Sequence, residues 1–153
     1  METVSCRSFD DVVNFAIRKE ENSMALFEEF ARRAQNPGIR DFFRELAEEE
    51  RKHRDMLKDL KPFGLEDFTV EQAQDFQIAD HLVDLNFADD ITYQEALTIA
   101  MKKKQRAVEF YTSWRNQCIH EKTARVFEYL AEAERKEKAA LEAKYDDEIL
   151  GWN

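Results

Sequence analysis

The chain has 153 residues, of which 37% are charged and 12% aromatic, with only three glycines and two prolines. This composition favours a single domain of long amphipathic helices and leaves little turn material for a β-rich fold. The net charge of −10 argues against a nucleic-acid partner, because phosphate binding requires a basic surface. No apolar run approaches the roughly 20 residues of a membrane span, and residues 1–7 lack signal-peptide character. We therefore expect a cytoplasmic protein without a membrane partner.

The first predicted helix begins at Ser8, which forms a capping-box pattern with Asp11. Its apolar stripe advances in alternating steps of four and three residues, which is the spacing of one helix face. The stripe consists of Val13, Ile17, Glu20, Met24, Phe27, Ala31 and Ala34. Glu20 is therefore an ionisable residue at a position where a core residue is expected.

The second predicted helix has Asn36 as its N-cap and Pro37 at its first position, and it ends before Pro62. Its stripe consists of Phe43, Leu46, Glu50, His53, Leu57 and Leu60. Glu50 and His53 are one turn apart, so they face the same way and can offer an oxygen and a nitrogen to one ion. Residues 62–90 are mixed in character, with a short helix near residues 77–85, and indicate a connection.

The third predicted helix opens with a capping box from Thr92 to Glu95. Its stripe consists of Leu97, Met101, Lys104, Val108 and Tyr111. After a polar break at residues 116–121, the fourth stripe consists of Phe127, Leu130, Glu134, Glu137 and Leu141. The basic run 102–104 is expected to be a solvated face with only Lys104 on the stripe. The tail, residues 145–153, is expected to be a short irregular extension.

Four stripes of this spacing predict an all-α four-helix bundle. The link between the second and third helices, about 29 residues, is long enough to traverse the bundle and favours two antiparallel helical hairpins joined by a crossover. We expect a single domain over residues 1–153. Its hairpins span about 8–61 and about 91–144, and the crossover spans about 62–90.

The two predicted hairpins repeat each other at an offset of 84 residues. LAEEERKH at residues 46–53 recurs as LAEAERKE at residues 130–137, and the same offset superposes AIRKE at residues 16–20 on AMKKK at residues 100–104. Repetition of this kind indicates two copies of one helical hairpin. The offset places Lys104 at the position of Glu20, and Glu137 at the position of His53.

Six ionisable residues on the stripes are predicted to meet in the middle of the bundle. They are Glu20, Glu50, His53, Lys104, Glu134 and Glu137. In each hairpin they lie at similar heights, roughly 22 Å from the turn at 1.5 Å per residue. A buried cluster of this kind must be ion-paired, metal-bound or partly neutralised. One Glu from each of two helices and a Glu-x-x-His pair from each of the other two form the ligand pattern of di-iron bundles.

These residues resemble the rubrerythrin family of the ferritin-like superfamily, over nearly the whole chain. The resemblance includes the segments YQEAL at 93–97, AMKK at 100–103 and YDDEIL at 145–150. It implies a ferritin-like four-helix bundle with a crossover, two irons, and peroxidase, oxidase or iron-handling chemistry. It places metal ligands at Glu20, Glu50, His53 and Glu134.

Two positions depart from that pattern. Lys104 occupies the position of the third-helix Glu, and a protonated ammonium cannot be a ligand. Glu137 occupies the position of the second His and can still coordinate through oxygen. We therefore expect one iron in preference to two, with Lys104 replacing the second ion and pairing with Glu134 or Glu137. Tyr111, on the same face two turns from Lys104, is either a neighbour of the site or a core tyrosine.

The other candidate residues carry less chemistry. Cys6 and Cys118 form no CxxC pair, which disfavours a thiolate metal site and a dithiol redox motif. His81 and His120 have no Glu three residues earlier, so we expect them to be surface or structural residues. No residue is assigned as catalytic.

Two functions remain open from the sequence. The first is a rubrerythrin-like iron protein with a degenerate site and weak oxidoreductase or iron-handling activity. Rubrerythrins proper carry an iron–sulfur domain with two CxxC pairs, so this chain, if redox-active, requires a separate electron donor. The second is a metal-free, non-enzymatic bundle that serves as a scaffold or interaction protein around a salt-bridged remnant. The family resemblance also implies a homodimer.

Overall fold

The computed structural model describes residues 9–60, 92–117 and 121–151. Four long helices account for most of these residues: α1 (Phe9–Arg33), α2 (Pro37–Leu60), α3 (Tyr93–Gln117) and α4 (Glu121–Tyr145). Helix α1 packs along α2, and α3 packs along α4. The predicted all-α four-helix bundle is confirmed. The predicted crossover, together with Cys6, His81, Cys118 and His120, lies outside the described residues.

Side chains cap two of the helices as the sequence predicts. The Asn36 Oδ1 accepts hydrogen bonds from the backbone N–H groups of Gly38 (2.8 Å) and Ile39 (3.2 Å) at the start of α2. At the start of α3, the Thr92 N–H donates to Glu95 Oε1 (2.8 Å) and the Glu95 N–H donates to Thr92 Oγ1 (3.1 Å). This reciprocal pair is a capping box.

The core consists of two apolar clusters, and all four helices contribute to each. The first cluster includes Val13, Leu57, Trp114 and Phe127, and the second includes Phe27, Phe43, Leu97 and Leu141. Each fully buried side chain of this size stabilises the fold by about 1.5–3 kcal/mol. Each helix has one segment in the first cluster and another in the second. The ionisable residues of its stripe lie between these two segments. The bundle therefore has a polar layer between two apolar clusters.

Two expectations about the fold are wrong in detail. Residues 146–150 of the tail are helical: α4 continues into a π-helical turn, Asp146–Leu150, which is held by a hydrogen bond from the Tyr93 hydroxyl to Glu148 Oε1 (2.6 Å). Lys103 is buried beside Lys104, because a lysine stem can pack against apolar neighbours while its ammonium finds a polar partner. None of the described helices is long and apolar enough to cross a membrane.

Candidate metal centre

The polar layer gathers ionisable side chains from all four helices. Its members are Glu20 on α1, Glu50 and His53 on α2, Lys104 on α3, and Glu134 and Glu137 on α4. All are buried except Glu137, whose side chain is 13% exposed. The structure thus brings the six predicted residues together at one height. The reason lies in the stripes, because each residue takes a core position of its helix and each core position faces the bundle axis.

His53 lies at the centre of the carboxylates. Its Nδ1 is 3.0 Å from Glu134 Oε2, 3.2 Å from Glu50 Oε1 and 3.7 Å from Glu20 Oε1. Its Nε2 is 3.5 Å from Glu137 Oε2. The two ring nitrogens therefore face different members of the layer, with the three most buried carboxylates on the Nδ1 side.

Lys104 forms ion pairs with carboxylates of α2 and α4. Its Nζ lies 2.6 Å from Glu137 Oε1, 3.0 Å from Glu50 Oε1 and 3.1 Å from Glu134 Oε1. The ammonium also lies 5.4 Å from the centroid of the Phe27 ring, within the range of a cation–π contact. These partners offset the desolvation of a fully buried charge, which would otherwise cost several kcal/mol.

Tyr111 extends the polar layer on the side of α1. Its hydroxyl donates a short hydrogen bond to Glu20 Oε2, so the structure places it next to the acidic cluster. Burial and the nearby Glu20 carboxylate raise the pKa of Tyr111 well above its usual value, which keeps the phenol protonated as a donor. Lys19, also buried, lies with its Nζ 5.6 Å from the centroid of the Tyr111 ring.

Lys19 is a residue that sequence reasoning missed. It stands between stripe positions, where a lysine is ordinarily solvated. The 84-residue repeat contains a signal for it, because the offset pairs Lys19 with Lys103, and both are buried.

Several carboxylate oxygens of the layer receive no hydrogen bond. Three buried oxygens, Glu20 Oε1, Glu50 Oε1 and Glu134 Oε1, have no hydrogen-bond partner, although Lys104 lies within ion-pairing distance of the last two. Buried carboxylate oxygens ordinarily accept hydrogen bonds or bind cations.

The residues of the layer fit one divalent cation. Glu20, Glu50, His53 and Glu134 each bring one ligand atom to within 4.8 Å of the others. Three carboxylates and one imidazole form a donor set that suits a divalent transition metal. We call these four residues the inner ligand group.

The Lys104 ammonium contacts three carboxylates in the other half of the layer. The Lys104 ammonium lies 3.1 Å or less from oxygens of Glu50, Glu134 and Glu137, where a second ion would need those carboxylates. An ammonium offers no lone pair, and its charge repels a metal ion at short range. The Lys104 ammonium therefore competes with any second ion for these three carboxylates.

Burial and mutual repulsion perturb the acids of the layer. Burial, reinforced by the charges of Glu50 and Glu134, raises the pKa of Glu20 to about 7. Burial also raises the pKa of Glu137 to about 7, against the opposing effect of Lys104. Both carboxyl groups therefore titrate near neutral pH in the metal-free protein.

Two further groups hold their charge. Burial disfavours the charged form of His53, but its contacts with Glu134, Glu20 and Glu50 outweigh burial and raise the pKa of His53 well above its usual value. Burial likewise opposes ionisation of Glu50, but Lys104 and His53 outweigh it and hold the pKa of Glu50 below its usual range. In the absence of metal, the layer contains an imidazolium and an ammonium among carboxylates.

Comparison with known protein families gives a match over most of the chain. The family model described as rubrerythrin matches residues 11–145. None of the curated proteins matches the chain significantly.

Two solved structures are similar to the chain. A hypothetical protein from Pyrococcus furiosus is 21% identical, with a TM-score of 0.67 over 95% of this chain and 92% of that one. A putative ferritin-like diiron-carboxylate protein from Thermotoga maritima is 18% identical, with a TM-score of 0.69 over 92% of this chain and 95% of that one. Both support the ferritin-like fold that the sequence predicts.

Proposed function

The chain belongs to the rubrerythrin family, and on that premise we propose that it is a non-haem iron-binding protein whose bundle core holds a single metal ion. The proposed ligands are Glu20, Glu50, His53 and Glu134. Glu137 is an adjacent carboxylate that pairs with Lys104. In this proposal the site is a degenerate form of a di-iron site, with the Lys104 ammonium in place of the second ion.

The observation that carries this proposal is the set of buried carboxylate oxygens in the inner ligand group that have no hydrogen bond. Three glutamates of that group each keep one buried oxygen without a hydrogen bond, although Lys104 forms ion pairs with two of these oxygens. The same glutamates and His53 each offer a ligand atom within 4.8 Å of the others. A bound cation would satisfy these oxygens and offset the cost of burying them.

The charge balance favours one ion. Glu20, Glu50, Glu134 and Glu137 contribute four negative charges and Lys104 one positive charge, which leaves −3 when His53 is neutral. One divalent ion changes this to −1. A second would change it to +1 and would press against the Lys104 ammonium, at a high electrostatic cost in a buried site.

The surrounding residues orient and neutralise the ligands. Tyr111 holds one oxygen of Glu20 through its hydrogen bond, and contacts of this kind to a ligating carboxylate strengthen metal binding. Lys104 fixes Glu50 and Glu134 from the opposite side. Iron bound here would supply one-electron redox and Lewis-acid chemistry.

We propose weak oxidoreductase or iron-handling activity, because the family's two-electron chemistry depends on a pair of irons. A separate electron donor is also part of the proposal. Assembly as a homodimer is a further part of the proposal.

Elemental analysis tests the proposal. The full chain, purified from iron-supplemented cells, should contain close to one iron per chain, and Glu50→Gln should lose it. Glu48→Gln, an exposed change on the same helix, is the matched control and should retain the iron. A wild-type content below about 0.1 metal ions per chain would contradict the proposal, since binding of this type is ordinarily stoichiometric.

A metal-free scaffold is the second candidate function, and the ion pairs of Lys104 favour it. With His53 protonated, two positive charges lie among four carboxyl groups, of which Glu20 and Glu137 titrate near pH 7. Such a layer approaches neutrality without metal. The same elemental analysis separates the candidates, because a scaffold would show no iron in the wild type or in either variant.

A further inference from the structure

Lys19 is a buried lysine beside the polar layer. It directly precedes Glu20 on α1, and it is only 4% exposed. Its Nζ lies 5.6 Å from the centroids of both the Phe110 and the Tyr111 rings, which α3 contributes. Within the part of the chain that the structure describes, no carboxylate forms an ion pair with Lys19. The two rings therefore hold this ammonium in the described core.

The Lys19 ammonium helps to fix the Tyr111 ring. A cation within about 6 Å of a ring centroid is attracted to the electron-rich face of the ring, and the attraction is strongest where water is excluded. Tyr111 is itself completely buried and is stacked on Phe127, with the ring centroids 6.0 Å apart. A ring held by both neighbours loses much of its freedom to tilt, so its hydroxyl keeps one direction.

The direction of the Tyr111 hydroxyl matters because its acceptor is a proposed metal ligand. The hydroxyl donates to Glu20 Oε2, whereas Glu20 Oε1 receives no hydrogen bond and lies 3.7 Å from His53 Nδ1. One oxygen of the carboxylate is thus held by the phenol, and the other faces the inner ligand group. Hydrogen bonds of this kind orient ligating carboxylates and strengthen metal binding.

The internal repeat has a similar contact between a cation and a ring in its other half, without the hydroxyl. The offset of 84 residues places Phe27 at the position of Tyr111, and the Lys104 Nζ lies 5.4 Å from the Phe27 centroid. Both rings therefore have an ammonium at a similar distance, but a phenylalanine cannot donate to a carboxylate. This difference places the hydrogen-bonding ring beside Glu20, a member of the inner ligand group.

We propose that Lys19 is a positioning residue of the metal site, which acts through the Tyr111 ring to hold Glu20 in its ligating orientation. The inference rests on the proposed function, because the orientation of Glu20 matters to the site only if the carboxylate binds a metal ion. Lys19 offers no ligand atom itself, since an ammonium has no lone pair. Its removal should therefore act on the site only through Tyr111 and through the loss of its charge.

Hydrogen exchange of the Tyr111 hydroxyl tests the positioning step in the metal-free full chain. The buried hydroxyl proton is observed by NMR and identified by its loss in Tyr111→Phe, and its exchange with water is measured. Lys19→Met, which keeps an unbranched side chain but removes the cation, should speed this exchange about fivefold. Lys19→Arg keeps a cation that can stack on the ring and should retain the wild-type rate. Arg18→Met is the matched control, because it removes an exposed cation that lies 6.0 Å from the centroid of a different ring, Phe15, and it should leave the rate unchanged.

A double-mutant cycle on Co²⁺ affinity tests the consequence for the metal site, with Co²⁺ as the probe because its visible absorption reports ligation. Lys19→Met is measured in the wild type and in Tyr111→Phe. The direct repulsion between the ammonium and the ion is common to both backgrounds, so it cancels in the comparison. The ratio of the affinity with Lys19→Met to the affinity without it should be about threefold lower in the wild-type background than in Tyr111→Phe, because only the wild type has the hydroxyl that Lys19 positions.

Equal ratios in the two backgrounds, in a wild type that binds one Co²⁺, would overturn the positioning role and leave the proposed function standing. A hydroxyl exchange rate that Lys19→Met leaves unchanged, or that Lys19→Met and Arg18→Met raise equally, would also overturn the positioning role. Failure of the wild type to bind Co²⁺ at all would overturn the proposed function, and the role of Lys19 in a metal site with it.

Discussion

Lys104 Nζ lies 2.6 Å from Glu137 Oε1, so the two residues of the polar layer that depart from the internal repeat are in direct contact. Lys104 stands where the first hairpin has Glu20, and Glu137 stands where it has His53. A lysine alone at position 104 would leave its charge with fewer partners, and Glu137 supplies the shortest of its three ion pairs. The two departures therefore compensate each other electrostatically.

Removal of the Lys104 charge should destabilise the metal-free protein. In Lys104→Met the carboxylates of Glu50, Glu134 and Glu137 lose their shared cation, and a broken buried ion pair costs about 3–5 kcal/mol. Urea unfolding followed by circular dichroism measures the loss. Lys102→Met, an exposed change on the same helix, is the control. A loss for Lys104→Met no larger than for this control would contradict the structural role given to the ammonium.

Tyr111 should affect both stability and metal affinity. Tyr111→Phe removes the donor to Glu20 Oε2 and leaves a buried carboxylate oxygen unpaired, at a cost of about 1–3 kcal/mol. It should also weaken Co²⁺ binding by about 10-fold, the effect typical of losing a partner of a ligating group.

The control for Tyr111→Phe is Tyr129→Phe, because Tyr129 is 57% exposed. Tyr129→Phe should change neither the free energy of unfolding nor the affinity. If Tyr111→Phe bound Co²⁺ as tightly as this control does, the hydrogen bond to Glu20 would have no part in positioning a ligand.

Metal affinity should rise with pH across neutrality. Ligation requires the proton-free forms of His53 and Glu20, and the metal-free structure favours their protonated forms, with the pKa of Glu20 raised to about 7 and that of His53 raised well above its usual value. Titration calorimetry at pH 6 and pH 8, in buffers of different ionisation enthalpy, should show tighter binding at pH 8 and protons released on binding. Binding without proton release at pH 6 would contradict this ligand assignment.

The same pKa shift predicts how the stability of the metal-free protein changes with pH. Glu20 has a folded pKa of about 7 against an ordinary value of 4.5. Its protonation therefore contributes stability that is fully present below pH 4.5 and is lost as the pH rises through 7. Glu20→Gln, which mimics the neutral carboxyl, should remove this part of the pH dependence in urea unfolding between pH 5 and 8. An unchanged profile in the variant would show that Glu20 does not titrate in this range.

The sequence predicted the helices because their apolar residues follow helical periodicity. It predicted that Glu20, Glu50 and His53 lie level with one another because each is a similar number of residues from the turn of its hairpin. It left Tyr111 open between a core residue and a neighbour of the site. The choice depends on side-chain rotamers across α1 and α3, which periodicity does not specify.

The burial of Lys19 and Lys103 was missed because hydropathy treats a lysine as a surface residue, whereas its stem packs readily in a core. The helical turn at residues 146–150 was missed because its contact with Tyr93 is long-range.

We propose that the polar layer holds one metal ion because Lys104 occupies the place of a second. An anaerobic Fe²⁺ titration of the full chain, compared with the double variant Lys104→Glu with Glu137→His, tests it most directly. The wild type should saturate at one equivalent, and the double variant, which restores the ligand pattern of the first hairpin to the second, should approach two. A capacity that is the same in both proteins would contradict the claim.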